Sequence, residues 1–401
     1  MSFAPRAAGT VFAYSPPVDW PRTPVDRLQA FQPPFCPRPR CPLHRATAPP
    51  FFRRHGSYRV RGQRVPRFRC LACGSTFSRH AFSLRYFRKR PELLVPVAAA
   101  LQAGSAHRQI ARTLGCAPST VTRLAARLGR HAILLLCRSL QALEGRLDEP
   151  IAFDHFETFE GSQDLPFGLA TPVGARSWFV YGLDPAPHGR TGRRSPAQRR
   201  RAAVAARRPR AGGYRDSTTR SLDRLLRLVP EGGTLRLRTD GHPAYERAVA
   251  GHPAAQAIGH ERFPNPPRRP KGSPRSPAAV ARDRALFPVD LLHGLFRHSL
   301  AAHRRETIAF GRRLNALLER FFLAVVWRNF VKGVSERRGD RTTPAMRLGL
   351  TDRPWNWRRV LGRRLFPVRE GLSGVWGELY RREWSTPGLR SNTRHRARFA
   401  F

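Results

Sequence analysis

Two aspartates are each embedded in a short apolar segment of an otherwise strongly basic chain. Asp154 follows the apolar triplet 151–153, and Asp240 follows the alternating segment 235–239. With 73 Lys and Arg residues against 27 Asp and Glu residues, the formal net charge is +46. Carboxylates among so many arginines can hold the divalent metals that phosphodiester chemistry needs, and a polyanion is the expected partner of such a chain. The pair therefore indicates metal-dependent chemistry on DNA.

The positive charge comes almost wholly from arginine, since the only lysines are Lys89, Lys271 and Lys332. A GC-rich genome would also favour arginine, but it does not explain why acidic residues are scarce. An apolar fraction of 41% in 401 residues allows two or three packed domains. The apolar stretches 132–137 and 321–327 are too short to span a bilayer, and the N-terminus lacks a signal-peptide core. We expect a protein of the bacterial cytoplasm, associated with the nucleoid and not with a membrane.

Four of the six cysteines form two pairs with metal-site spacing. Cys36 and Cys41 make the first pair, and Cys70 and Cys73 the second, which predicts a tetrahedral Zn²⁺ site of the zinc-ribbon kind. The first pair has four intervening residues instead of two, so reduced thiols without metal are the alternative, and His44 could replace one sulfur. Alternating segments at 58–61 and 66–69 predict a hairpin that presents arginines to phosphate.

The next segment has the pattern of a helix-turn-helix. Residues 107–114 keep apolar positions at helical spacing, 115–117 make the turn, and Pro118 opens a second helix. This second helix would read DNA, while an ordinary helical hairpin in a core is the alternative. The residues predicted to contact DNA are Ser119, Thr120, Thr122, Arg123 and Arg127.

From residue 151 the pattern changes to strands and helices in a specific order. Strands are predicted at 151–159, 169–173, 177–183, 235–239 and 257–263, and helices at about 218–228, 243–250 and 288–332. This order is close to that of the ribonuclease-H-like fold, in which the first and fourth strands are adjacent. Asp154 and Asp240 would then come together and share Mg²⁺ or Mn²⁺ ions for two-metal catalysis. Alternatively, each aspartate is only a strand-end cap or a turn residue.

The zinc-ribbon and helix-turn-helix patterns, together with three short motifs, resemble bacterial insertion-sequence transposases of the DDE or DDD type. The likeness is greatest to the insertion-sequence-one-like enzymes and covers residues 30 to 335. The motifs are Phe-Asp-His-Phe-Glu at 153–157, Thr-Asp-Gly-His-Pro-Ala-Tyr at 239–245 and Arg-Glu-Thr-Ile-Ala-Phe at 305–310. The resemblance implies cleavage at the ends of a mobile element and attack of the freed 3′-hydroxyl on target DNA. It also implies double-stranded DNA as partner and a homo-oligomer in the DNA complex.

The third carboxylate of this chain departs from the family's usual glutamate. Asp290 has the corresponding spacing upstream of the last motif, and Glu306 is the alternative. If 288–332 is one helix, the two residues are about 24 Å apart along it and cannot bind the same metals. Asp290 would begin that helix, with His293 and Arg297 on its face, and we favour it as the third ligand. Glu157 points to the opposite face of its strand from Asp154 and is expected at the surface.

The sequence thus predicts a multidomain protein. Its parts are a flexible N-terminal segment (1–30), a zinc-ribbon DNA-binding domain (31–90), an all-α helix-turn-helix DNA-binding domain (91–145), an α/β ribonuclease-H-like catalytic domain (151–335) with a basic insert (189–213), and a basic, partly disordered C-terminal helical appendage (336–401). A basic cluster that could clamp DNA, or merely form a solvated helical face, consists of Arg304, Arg305, Arg312 and Arg313. The functional alternatives to a transposase are a sequence-specific DNA-binding regulator, an inactive transposase copy and a structure-specific nuclease.

Overall fold

The structure, a computed structural model, describes residues 31–45, 50–60, 62–189, 192–204, 213–267, 270, 272–304, 307–384 and 386. The chain divides into two compact units, Met1–Ala81 and Phe82–Phe401. The predicted helix-turn-helix and the predicted α/β region belong to the same second unit. Each unit is described by itself below.

The first unit is built on a three-stranded antiparallel sheet with strands in sequence order. Its strands are β1 (Phe52–Val60), β2 (Gln63–Cys70) and β3 (Thr76–Ser78). The predicted hairpin is confirmed and is longer than expected, with Phe52 opposite Cys70, whereas β3 was missed. The register shifts between Arg54 and Ser57, where Gly56 adopts a φ of 70°. Phe68 and Phe77 are buried, so aromatic packing supplies a core for this small sheet.

The second unit begins with three helices, α1 (Leu94–Gln102), α2 (His107–Thr113) and α3 (Pro118–Gln141). Proline at the first position of α3 lacks the N–H that would have no partner there. The helix runs for 24 residues without interruption, so the predicted recognition helix and the helical segment after it are continuous. Most residues of α3 from Leu124 onward are buried.

A five-stranded sheet forms the centre of the second unit, in the order β6-β5-β4-β7-β8. Its strands are β4 (Ile151–Phe159), β5 (Pro166–Gly174), β6 (Asp184–Pro187), β7 (Leu235–Thr239) and β8 (Ile258–Arg262). β4 pairs with β5 antiparallel and with β7 parallel. The antiparallel pairing of the first two predicted strands and the adjacency of the first and fourth strands are confirmed.

The strand predicted at 177–183 is wrong, since β6 lies further along the chain and this segment carries only an isolated bridge at Val180. Trp178 adopts a φ of 63°, which interrupts an extended strand. The side chain of Asn329 accepts from the Val180 N–H at 2.9 Å and donates to the Val180 carbonyl at 3.0 Å. The Val180 backbone is therefore bonded to a side-chain amide, whereas its neighbours Phe179 and Tyr181 bond the backbone of β5.

Further helices follow the strands. They are α4 (Pro196–Val204), α5 (Gly213–Leu226), α6 (Pro243–Ala250), α7 (Pro277–Ser299) and α8 (Leu314–Phe330). α4 lies within the predicted basic insert, of which residues 190–191 and 205–212 are outside the described part. α3 and α8 approach very closely, because a Cβ atom on Gly129 would lie only 2.3 Å from the Glu319 Cβ.

The prediction of one long helix over 288–332 is wrong. α7 begins much earlier, where Pro277 is the first residue and the Ser276 hydroxyl accepts from the Ala279 N–H at 3.2 Å. It ends at Ser299, and Leu300 is extended with φ −117° and ψ 103°. Asp290 consequently lies inside a helix and does not begin one.

The C-terminal region packs on the rest of the second unit, as predicted. It contains α9 (Pro344–Arg347), α10 (Trp357–Val360) and α11 (Gly374–Arg381). Trp355 stacks on Phe330 with ring centroids 4.8 Å apart, and the Trp376 indole donates to the Leu183 carbonyl at 2.8 Å. The predicted disorder at 385–401 lies outside the described residues, except that the Thr386 hydroxyl bonds Glu160 at 2.8 Å. Across the described ranges, every helix is too short or too polar to serve as a membrane span.

Candidate functional site

The four predicted cysteines converge in the first unit. The Sγ atoms of Cys36, Cys41, Cys70 and Cys73 all lie within 4.8 Å of one another. Cys36 is 3.7 Å from Cys73, and Cys41 is 3.8 Å from Cys70. A tetrahedral zinc site with Zn–S bonds of about 2.3 Å has S–S distances of about 3.8 Å, so the four thiols could hold a metal such as zinc.

Electrostatics at this cluster fit a thiolate site. Burial would raise the pKa of Cys73, but hydrogen bonds from Ser75 and the other thiols lower it to about 6. Burial raises the pKa of Cys36, so its deprotonation requires a cation. His44 is outside the group of four converging ligands, and its Nδ1 lies 2.7 Å from the Cys36 carbonyl oxygen. The imidazole therefore supports the loop that carries the first cysteine.

Asp154 and Asp240 are brought together by two adjacent parallel strands. Asp154 lies within β4, and Asp240 is the first residue after β7. The Asp154 side chain is 22% exposed. Its pKa is raised to about 7, first by burial and then by the negative charge of Asp240, with a smaller contribution from Asp290. Three carboxylates thus act on one another electrostatically at this end of the sheet.

Hydrogen bonds fix the orientation of Asp154. The Tyr245 hydroxyl donates to its Oδ1 at 3.0 Å, and the His155 N–H donates to the same atom at 2.7 Å. The His155 ring is buried between Tyr214 and Tyr245, with centroid distances of 4.0 and 5.5 Å. The sequence motifs contain His155 and Tyr245 but do not predict this role. The spacing of five residues between Asp240 and Tyr245, across a helix start, was the available signal.

Asp240 is held by the turn that enters α6. Its Oδ1 accepts from the His242 N–H at 3.0 Å, and its Oδ2 accepts from the Asn265 amide at 3.0 Å. Gly241 has a φ of 84°, a conformation that favours glycine. Asp240 therefore does have the turn role that the sequence allowed, through Oδ1, while its Oδ2 is bonded to Asn265.

Asp290 faces the other carboxylates from α7 but is engaged by a cation. Arg282 forms an ion pair with Asp290 through Nη1, and its Nη2 lies 3.4 Å from Asp290 Oδ1. His293, on the same helix, lies 3.8 Å from Asp154 Oδ2 and bonds the Thr171 hydroxyl at 2.7 Å. Burial lowers the pKa of His293 to about 3, so the imidazole beside Asp154 is neutral.

The carboxylates do not form a compact ligand group like that of the cysteines. Within the described ranges, the cysteine cluster is the only group of three or more His, Cys, Asp or Glu side chains close enough to share a metal. Glu306, the alternative third ligand, lies outside the described residues. Glu157 is 49% exposed and pairs with His188 at 3.2 Å, which confirms its expected surface position.

Only some of the residues predicted to contact DNA are exposed on the predicted recognition helix. Ser119 and Arg123 are exposed, and Thr120 and Thr122 are half-buried. The assignment of Arg127 to DNA is wrong, because its side chain is 0% exposed and its guanidinium donates to the Tyr86 carbonyl at 3.2 Å. Burial, followed by the charge of Arg88, lowers the pKa of Arg127 to about 9. The cause is the continuity of α3, whose later turns are covered by other helices.

The predicted basic cluster does not lie on a helical face. Arg304, Arg312 and Arg313 are in the connection between α7 and α8, and Arg305 lies outside the described residues. Arg313 is the N-cap of α8 with an extended backbone. Arg304 and Arg312 are exposed, so a phosphate contact is sterically open to them.

Comparison with known proteins found no relative of this chain. The chain matches no protein-family model, and no significant match was found among curated proteins or among solved structures. The cysteine cluster, the facing carboxylates and the charge of the chain are thus the features on which a functional proposal rests.

Proposed function

We propose that this protein is a DNA transposase of an insertion sequence, with a ribonuclease-H-like catalytic core. It would bind the element ends and catalyse metal-dependent strand cleavage and strand transfer, acting as a homo-oligomer on double-stranded DNA. The observation that carries the proposal is the meeting of Asp154 and Asp240 on adjacent parallel strands, opposite Asp290, in a chain of net charge +46. In a cationic DNA-binding protein, buried carboxylates that repel one another are unfavourable unless they bind a cation.

The donor set fits Mg²⁺ or Mn²⁺, because both ions prefer carboxylate oxygens. Asp154 and Asp240 would hold the metal, with Asp290 completing the set. When bound, the metal would activate the attacking water or 3′-hydroxyl and stabilise the departing oxygen. The chain's own residues orient these ligands: Tyr245 holds Asp154, and Asn265 holds Asp240.

DNA binding is supported by two exposed basic surfaces, one in each unit. In the first unit, Arg59 and Arg69 are exposed on the antiparallel sheet, and Arg69 directly precedes Cys70. In the second unit, Ser119 and Arg123 are exposed at the start of α3, where a helix in the major groove contacts base edges. Arginine is suited to both surfaces because its planar fork binds phosphate and guanine bidentately.

The direct test is cleavage and joining of labelled DNA that carries the element's flanking ends, with Mg²⁺ or Mn²⁺. We expect Asp154→Ala, Asp240→Ala and Asp290→Ala to reduce joining by about 1000-fold or more, in line with loss of an electrostatic catalytic group. Glu157→Ala is the matched control, since Glu157 is an exposed carboxylate on the same strand. Loss of joining in Glu306→Ala and its retention in Asp290→Ala would move the third ligand to Glu306.

A second candidate function is a sequence-specific DNA-binding regulator or an inactive transposase copy. The ion pair between Arg282 and Asp290 favours it, because a neutralised Asp290 is a poor metal ligand. Such a protein would bind DNA in a salt-sensitive manner and would neither cut nor join it with any divalent metal. Metal-dependent cleavage without joining would instead identify a structure-specific nuclease.

A further inference from the structure

A cavity of about 510 Å³ lies beside α7, separate from the carboxylates. Trp178 and Phe287 form its aromatic wall, with ring centroids 5.6 Å apart. Phe287 is 48% exposed although it is a large apolar side chain. Exposed aromatic surface at a concave site is characteristic of ligand binding, and the cavity is within the size range of small-molecule sites. The wall therefore suits a ligand with a flat, apolar face.

The backbone of Trp178 is held in an unusual conformation. Its φ of 63° lies in the left-handed region, which bulky residues rarely adopt. Its N–H donates to the Gly174 carbonyl at 3.0 Å, and the guanidinium carbons of Arg328 and Arg347 each lie 5.6 Å from the ring centroid. Strained residues of this kind persist where the surroundings fix them, often at binding sites. The indole is thus presented to the cavity in a fixed orientation.

The rim of the cavity is positively charged. Arg275 and Arg284 line it, and both side chains are exposed. Asp283 is the only carboxylate among the described lining residues, and it is ion-paired with Arg275. With Arg328 and Arg347 close to the indole, the charge around the aromatic wall favours an anionic ligand.

The cavity shares helix α7 with one of the candidate catalytic carboxylates, Asp290. Phe287 precedes Asp290 by three residues on α7, which places it on the same helical face about 4.5 Å along the axis. Asp290 in turn acts electrostatically on Asp154. The cavity is thus on the same helix as Asp290, within about one helical turn of it.

We propose that the cavity binds an unpaired nucleobase of the DNA strand beside the phosphate that is processed. The base stacks against Trp178 and Phe287, and its phosphate contacts Arg275 and Arg284. Bases stack on aromatic side chains irrespective of sequence, and arginine binds the adjoining phosphate. This inference rests on the proposed function, because it takes DNA as the substrate.

The test compares the binding of two fluorescein-labelled DNA ends by anisotropy, one fully paired and one with a single unpaired nucleotide. We expect the protein to prefer the unpaired form by about tenfold, as one stacked base provides. Phe287→Ala and Trp178→Gly should each abolish this preference while leaving binding to paired DNA unchanged. Glycine is chosen at 178 because it tolerates the positive φ. Phe310→Ala is the matched control, since Phe310 is 39% exposed and does not line the cavity.

The outcomes separate this inference from the proposed function. Equal binding of the two DNA ends by the unmodified protein would overturn the nucleobase site and leave the transposase proposal standing. A preference that persists in both cavity variants would also overturn it, because the unpaired base would then bind elsewhere. Failure to bind either DNA would overturn both proposals together.

Discussion

The two candidate metal centres of this chain are built in opposite ways. The four cysteines lie in the segment before β1 and at the end of β2 and just after it, and their Sγ atoms all lie within 4.8 Å of one another. The carboxylates come from two strands and a helix that are far apart in sequence, and each has a protein partner: Tyr245 for Asp154, Asn265 for Asp240 and Arg282 for Asp290.

This difference follows from the chemistry of the ligands. Thiols can be neutral in a small core, so four of them can lie close together at little electrostatic cost. Carboxylates repel, so without a cation they separate or recruit hydrogen-bond donors and arginine. A carboxylate metal site is therefore poorly recognised by the criterion that its ligand atoms already lie close together.

Removing one thiol of the cysteine cluster should have the largest effect, which is on the stability of the first unit. We expect Cys70→Ser to abolish zinc binding and unfold the first unit, because structural zinc contributes about 10 to 16 kcal/mol to the folding of small domains. Zinc content measured by atomic emission, and hydrogen exchange of the β1, β2 and β3 amides, provide the test. Cys116→Ser is the control, since Cys116 is a half-buried cysteine outside the cluster. Protected β-strand amides in zinc-free Cys70→Ser would show that the sheet folds without metal.

Replacing Asp154 with a neutral residue should change the free energy of unfolding by an intermediate amount, and the size of the change should depend on pH. The pKa of Asp154 is about 7 in the fold, against 3.8 for an ordinary aspartate. Between these values the folded protein binds more protons than the unfolded chain, so this group's contribution to stability is lost as pH rises toward 7. At pH 8 we expect the unfolding free energy of Asp154→Asn to be higher than that of the unmodified protein by on the order of 2 to 4 kcal/mol. At pH 4 we expect little difference between the two.

Denaturant unfolding at several pH values measures this difference. Glu157→Gln, which changes an exposed carboxylate of the same strand, should show no such pH-dependent gain. Mg²⁺ at pH 8 should stabilise the unmodified protein and not Asp154→Asn, because a bound cation removes the repulsion. A stability difference that is constant from pH 4 to 8 would contradict the assignment of a buried, repelled carboxylate.

Removing the ion pair between Arg282 and Asp290 should have the smallest effect, which is a change in metal affinity. We expect Arg282→Gln to tighten Mn²⁺ binding by about three- to fivefold, since a partly exposed ion pair contributes up to about 1 kcal/mol. Titration of free Mn²⁺ by electron paramagnetic resonance gives the affinity. Arg284→Gln removes the same charge from the same helix without touching Asp290, so equal tightening in both variants would rule out a specific effect of the ion pair.

Local signals in the sequence predicted much of the fold. β4, β7 and α6 have the predicted bounds, because alternation defines the strands and Asp-Gly-His-Pro marks the turn and the helix start. The cysteine site was predicted from spacing alone. These features depend on neighbouring residues, which is why a single sequence reveals them.

The errors arose where distant residues decide the structure. The segment 177–183 is apolar, but Trp178 has a φ of 63°, the Asn329 side chain bonds the Val180 backbone, and only an isolated bridge forms with β5. Arg127 has the sequence character of a DNA-contacting residue and is buried by packing that only the tertiary fold specifies. Arg282 and Asp290 are eight residues apart, a separation that the usual helical pairing rules do not connect. The start of α7 at Ser276 and Pro277 was a local signal that was overlooked.

If this protein is the proposed transposase, helix α3 determines how far the DNA sequence that it reads can be from the cleavage site. Its exposed first turn and its buried later turns belong to one rod about 36 Å long, and at Gly129 it touches α8 with no room for a side chain. A rod fixed along most of its length has no internal hinge. If its first turn reads DNA, adding or deleting one helical turn of about 5.4 Å would move the cleavage position by one to two base pairs, at about 3.4 Å per pair.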